Sequence, residues 1–390
     1  MTKSTHELSP IELGERLKIA RESANVTQDA GAKAAGVART TLVAIEKGQR
    51  AARVDEIQAL CHHYGISVNS LLRREAVHID LIPRFRSLPD AASTGIQQAA
   101  RTLNDLVRSE VELEDVLGVQ RLRNYPAEKT ILPGDVRAQA ENDAQNLRNW
   151  LGLGEGPIQD LFALMELQLG IRVYGRKLAS AVSGLFAYDD AVGGCILINS
   201  SHRRDRQAQT AAHELGHFIG TRRQPEVYQD EIHDNSREER YANAFGRAFL
   251  TPARATMEKF KELTTGATHL TRRHVILLAH FFGVSRQAMV LRLEELELTQ
   301  KGTWDWFADN GGITDEQVRQ VLGISERESS TDDARSSRLF LLAIDAWKKD
   351  LISEGQMAEM LKLGRHQVRE LLDEAAAEED EADDFFKLHH

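Results

Sequence analysis

His213-Glu214-Leu215-Gly216-His217 places two imidazoles four residues apart, with a carboxylate directly after the first. On a helix this spacing puts both histidines on one face, where they can hold one zinc ion. Glu214 then sits beside the open coordination position, placed to take a proton from a water attacking a peptide carbonyl. The pattern predicts metallopeptidase chemistry, and the neighbouring sequence supplies the helix it needs. Gln207 to Ala212 are good helix formers without proline or glycine, and Phe218-Ile219 continue the apolar stripe, so a helix is expected over about 204–220. Ahead of it, Cys195-Ile196-Leu197-Ile198-Asn199 follows Gly193-Gly194 and reads as an edge strand, to which an extended substrate can add.

A zinc held by two histidines needs a third protein ligand. Ser236 to Phe245 reads as a second helix within about fifty residues of the first. On it Glu239 and Asn243 are four apart, so a carboxylate on the metal and an amide hydrogen-bonding a ligand histidine can share a face. Glu239 is the expected ligand, with Glu238 and His233 as alternatives. Ala242, Phe245, Phe249 and Leu250 form the stripe that packs this helix, and Thr251-Pro252 stops it. The second helix weighs against two ordinary surface histidines on an amphipathic helix.

These residues carry a resemblance to the ImmA/IrrE metallopeptidases. It extends through Leu151-Gly152-Leu153-Gly154, Gly156-Pro157-Ile158, Leu169-Gly170-Ile171-Arg172-Val173, Ser183-Gly184 and Ile198-Asn199 to the His213 helix. It continues in Glu239, Ala242, Asn243, Phe245 and Phe249 to Pro252, then in Leu277, Ala279, Phe282 to Ser285 and Arg292-Leu293. The resemblance implies zinc on His213, His217 and Glu239, Glu214 as general base, and a repressor-like or antitoxin-like protein as substrate. Two positions depart from the common pattern: Thr210-Ala211 where bulkier residues are frequent, and Gly246 where alanine is usual.

A separate signal lies at the start. Leu13 to Arg21 reads as an amphipathic helix, and Thr27 caps a second one beginning at Gln28. Gly36-Val37 makes a turn, Arg39 to Glu46 is a third helix, and Lys47-Gly48 ends it. Val54, Ile57, Leu60 and Cys61 follow at helical spacing, and Tyr64 to Leu72 suggests a fifth short helix. This layout resembles the Xre, or lambda-repressor-like, DNA-binding domains over about residues 10–73. In that geometry Arg39, Thr40 and Thr41 face base edges in the major groove, with Gln28 near a flanking phosphate or base. Lys47, Arg50 and Arg53 lie where phosphates pass. Ala44 and Ala51-Ala52 read bases poorly, which leaves open a helical bundle that kept the fold and now binds protein.

The whole is expected to be mainly α with a small α+β part. The expected domains are a five-helix helix-turn-helix domain over 8–74, a helical connector over 75–125 and a zincin-like metallopeptidase domain with a short β-sheet over 126–310. A helical C-terminal region follows over 311–374, with a second helix-turn-helix suggested around Leu363-Gly364, and then an acidic tail over 375–390. For that C-terminal region, dimerisation or packing on the peptidase competes with a second DNA contact. No apolar run is long enough to cross a membrane, and the polar start is unlike a signal peptide, so a cytoplasmic protein is expected. Cys61 and Cys195 fall in different expected domains, so no disulfide framework is indicated. Cys195 reads as a small buried strand residue rather than an inhibitory thiolate on the zinc. A net charge of −10 disfavours a protein that coats nucleic acid without sequence preference. Together these features imply a regulator that binds double-stranded operator DNA as a homodimer and carries a zinc endopeptidase responding to a stress- or phage-related signal. The competing function is a regulator or antitoxin that uses the peptidase fold as a sensor without proteolysis. Intact Glu214 favours chemistry, and Tyr241 or His233 would serve as oxyanion stabiliser.

Overall fold

The computed structural model describes residues 9–24, 26–64, 66, 68, 71, 81, 94–224, 226–229, 236–323 and 337–380. The chain divides into two compact units, Met1–His78 and Ile79–His390. It is mainly helical with one small sheet.

In the first unit α1 (Pro10–Ser23) begins at a capping box, in which Ser9 and Glu12 each satisfy the other's backbone N–H. Thr27 caps α2 (Gln28–Ala34) through Ala30 N, followed by α3 (Arg39–Glu46) and α4 (Val54–Tyr64). Gly36 and Gly48 take φ of +66° and +67° after α2 and α3, the left-handed stops that favour glycine. Leu17, Leu42, Ile45 and Leu60 fill the core. A buried Arg21–Glu46 ion pair of 2.6 Å ties α1 to α3. The fifth helix expected over Tyr64 to Leu72 lies largely outside the described residues.

The second unit runs through α5 (Thr94–Leu117), α6 (Val136–Trp150) and α7 (Leu161–Ala163), which passes into a π-helical turn, Leu164–Leu169. Strands β1 (Arg172–Arg176), β2 (Val182–Asp189) and β3 (Gly193–Asn199) lead to α8 (Arg204–Gly220), β4 (Glu226–Gln229) and α9 (Arg237–Leu250). Helices α10 (Ala253–Leu263), α11 (Arg272–Phe282), α12 (Arg286–Glu295), α13 (Thr303–Asp309) and α14 (Asp315–Leu322) follow. The described chain closes with α15 (Ser337–Lys348), α16 (Glu354–Leu361) and α17 (Arg365–Asp380). Among the described residues no single helix is long and apolar enough to cross a membrane.

The sheet order is β1-β3-β2-β4, with β1 parallel to β3 and β2 antiparallel to both of its neighbours. The Cys195–Asn199 run is therefore an interior strand, not the expected edge. Its composition explains why: every residue of β3 is buried. Ile196 and Ile198 join the core under α8, whereas Cys195 and Leu197 join the core under α5, the alternation of a strand covered on both faces. The edges are β1 and β4.

The stretch expected as a connector is occupied by α5, whose Leu103, Leu106 and Val107 are fully buried in the second of these cores. The C-terminal helices α15 and α16 pack on α5 and bring Leu339, Ala343, Met357 and Leu361 into that core. Lys362-Leu363-Gly364 joins α16 to α17, with Lys362 at φ +53°. Of the roles weighed for this region, the structure shows packing.

A buried ionic hub stitches these layers. Glu110 and Glu114 of α5 meet Arg172 of β1 at 3.0 and 2.7 Å, and Arg121 also pairs with Glu110. Arg338 of α15 reaches Glu114 at 3.1 Å, and its backbone N–H donates to Glu166 at 3.2 Å. Tyr174 donates its hydroxyl to Glu110 at 2.5 Å.

Candidate metal centre

Helix α8 presents His213 and His217 one turn apart on its buried face, and the first turn of α9 brings Glu239 to them. The crossing of these helices is close because small residues meet there. A Cβ on Gly216 would stand 2.8 Å from the Ala242 Cα, and one on Gly246 would stand 3.0 Å from the His213 backbone nitrogen. An alanine in place of Gly246 would push the helices apart by a few tenths of an ångström; glycine lets α9 approach. Ser236 caps α9 by accepting from Glu239 N at 3.2 Å, which orders the turn carrying the carboxylate.

The three candidate ligands converge. His217 Nε2 lies 3.1 Å from His213 Nε2 and 3.2 Å from Glu239 Oε1, and His213 Nε2 lies 3.5 Å from Glu239 Oε2. The other nitrogens are held from behind. Asn243 Oδ1 stands 3.2 Å from His213 Nδ1, and Thr221 Oγ1 stands 3.0 Å from His217 Nδ1. An amide oxygen can only accept, so His213 carries its proton on Nδ1 and turns the Nε2 lone pair to the centre. Burial, followed by the neighbouring His217, pulls the His213 pKa down to about 3, so the imidazole is neutral at physiological pH. A neutral imidazole with a bare Nε2 beside a second imidazole and a carboxylate is the donor set that suits zinc.

Glu214 is fully buried. Strand β2 makes room for it with Gly184, where a Cβ would stand 2.8 Å from Glu214 Oε1 and 2.6 Å from Thr210 Cγ2. Of the alternative ligands, Glu238 is not in the close group and His233 lies outside the described residues. Tyr241 is not placed as an oxyanion stabiliser: it is buried, and its hydroxyl donates to Asp143 at 3.0 Å, toward α6. Cys195 stands in the core under α5, where burial raises its thiol pKa to about 12, so it is no thiolate ligand. Two contributors escaped the sequence reading. Thr221 lies four residues after His217, a spacing that could have flagged it, and Gly184 was noticed only as part of a resemblance.

In the first unit Arg39 and Thr40 are exposed at the start of α3, Thr41 is half-buried and Lys47 is exposed after the helix. Gln28 and Arg50 are engaged within the unit: Gln28 Nε2 donates to Glu46 at 2.9 Å, and Arg50 forms a two-pronged bond to Glu56 at 2.8 Å. Arg53 pairs with Asp55 at 2.9 Å on the surface.

Residues 12–73 match the family model described as a helix-turn-helix domain, and residues 166–294 match the peptidase family model described as an IrrE N-terminal-like domain. No curated protein sequence matches the chain. Among solved structures, the crystal structure of ComR from Streptococcus suis aligns over 96% of this chain and 97% of that chain, at 10% identity and a TM-score of 0.17. A superposition that loose supports no structural argument.

Proposed function

From a chain that carries an N-terminal helix-turn-helix domain followed by an IrrE N-terminal-like peptidase domain, we propose a DNA-binding transcriptional regulator with a zinc-dependent endopeptidase that cleaves a repressor-like or antitoxin-like protein. The observation that carries the catalytic half is the convergence of His213, His217 and Glu239. Zinc held by them would supply Lewis acidity to the scissile carbonyl and to the attacking water. Glu214 takes the proton of that water as its oxygen bonds to the carbonyl carbon, and passes it to the leaving nitrogen as the C–N bond breaks. Asn243 holds His213 in orientation. An extended substrate adds to the sheet at its outer strand β4, in place of the edge expected earlier at Cys195–Asn199.

Metal content tests this half. Mass spectrometry of the purified protein, without added metal, is expected to show about one zinc per chain. Glu239→Ala should remove most of it. A wild-type protein without zinc would sink the endopeptidase assignment.

The regulatory half rests on the exposed start of α3, with Arg39, Thr40 and Thr41 reading operator bases and Lys47 meeting phosphate. Gln28 and Arg50 act in part through Glu46 and Glu56, as supports of the reading helix. Repressor-type operators are two-fold symmetric, so binding as a homodimer is proposed. Arg39→Ala is expected to weaken a selected operator by about 1–3 kcal/mol while zinc content stays constant. Unchanged affinity in fluorescence anisotropy would take α3 out of the DNA-reading role.

A further inference from the structure

Residues 118–135 join α5 to α6 without a helix or strand of their own, and both helices of the candidate metal centre are fastened to this strap. Lys129 N donates to the Ile219 carbonyl in the last turn of α8 at 2.7 Å, and Arg222 Nη2, just past that turn, donates to the Pro126 carbonyl at 2.8 Å. From the other side Arg237, the first residue of α9, donates through Nη2 to the carbonyls of Leu132 and Gly134, the latter at 2.9 Å. Gln139 of α6 fixes the same stretch, accepting from Leu132 N and donating to the Thr130 carbonyl, both at 2.9 Å. Ile131 of the strap and Tyr241 of α9 both pack on Gly220 of α8, where a Cβ would stand 3.3 Å from Ile131 Cδ1 and 2.6 Å from Tyr241 Cε1.

We infer that Arg237 is a positioning residue of the metal centre, which braces the first turn of α9 on the strap and so sets the reach of Glu239 toward His213 and His217. The inference rests on the metal-binding role proposed for these three residues. What holds the ligands differs. His213 and His217 follow more than two turns of α8, whose own hydrogen bonds fix them. Glu239 lies in the first turn of α9, where backbone N–H groups have no partner within the helix and fraying begins. Ser236 caps that turn through Glu239 N, but a cap orders the turn only within its own helix. The Arg237 bonds fix it against a strap that the last turn of α8 also holds. A metal site needs its donors placed within a few tenths of an ångström, so this brace decides whether the carboxylate is in reach.

The experiment measures zinc affinity of the full chain by chelator competition in wild type, Arg237→Ala, Glu239→Ala and the double variant, with amide hydrogen exchange on the metal-free proteins. Arg237→Ala is expected to weaken zinc by about tenfold, the lower end of what losing a supporting partner of a metal ligand costs. It should add nothing in the Glu239→Ala background, because it acts through that carboxylate. Gln139→Ala, which removes an anchor of the strap on α6, should weaken zinc in the same direction. In the metal-free chain, exchange at the start of α9 should quicken in Arg237→Ala. Wild-type affinity in Arg237→Ala would overturn the inference, as would an equal loss with and without Glu239. If the wild type takes up no zinc, the metal role fails; quickened exchange then leaves the brace standing, and unchanged exchange removes it as well.

Discussion

Replacing Glu214 by glutamine is expected to slow peptide hydrolysis by about 10²–10⁴-fold while zinc and operator DNA stay bound. The substitution keeps the side chain's length and shape in a fully buried pocket that Gly184 leaves open for it, so the packing of α8 against β2 is preserved. What is lost is the ability to accept a proton from water and return it to the leaving nitrogen. Single-turnover cleavage from a fluorogenic peptide library, with zinc measured on the same sample, separates the outcomes. Loss of cleavage with zinc retained identifies the general base. Loss of zinc would make Glu214 a ligand or a structural residue. A wild type that cleaves nothing in the library or among its bound protein partners would favour the regulator that uses this fold as a sensor without proteolysis.

The second large effect lies in the buried ionic hub, outside the candidate metal centre. Glu110→Ala is expected to destabilise the second unit by about 3–5 kcal/mol, the usual result of leaving buried charges without their partner. Glu110 is fully buried; burial alone would raise its pKa, but Arg172 and Arg121 outweigh that and hold it below the ordinary carboxylate value. Its removal takes the Tyr174 hydroxyl's acceptor and one carboxylate from two buried guanidinium groups at once, leaving Glu114 to face Arg172, Arg121 and Arg338. A carboxyl with a depressed folded-state pKa stabilises the fold above its unfolded-state value of about 4.3 and loses that contribution as pH falls through the folded one. The hub should therefore persist through neutral and mildly acidic conditions and weaken progressively as pH falls below the unfolded-state value. Urea unfolding followed by the fluorescence of Trp347, which packs on the same core, would show the loss. A midpoint within error of wild type would mean that the arginines find other partners. Replacing the hub's charges together by apolar residues should cost much less, because no charge is then left buried alone.

The two-histidine sequence and its helix are local facts. Histidines four apart on a run of good helix formers specify a face, and α8 follows the expected span. The same holds for the capped helices of the first unit, where Thr27, Gly36 and Gly48 act on their immediate neighbours. Glu239 and Asn243 were nameable because they share a helical face, even though the approach of that helix to α8 was not. The position of Cys195–Asn199 in the sheet was misjudged because an apolar run fits an edge or an interior strand until its covering layers are known; α5 and the C-terminal helices supply the second cover. Tyr241 was misplaced for a related reason, since its direction toward Asp143 depends on α6.

By itself, the sequence determined which residues share a helical face and where helices start and stop, because hydrogen bonding along one helix and capping act within a few residues. Only the tertiary structure decided how closely α8 and α9 cross at Gly216 and Gly246, which strand lies inside the sheet, and that Thr221 backs His217. Those depend on van der Waals contact and hydrogen-bond geometry, set when separate elements, or a helix end and its last turn, are brought together in three dimensions.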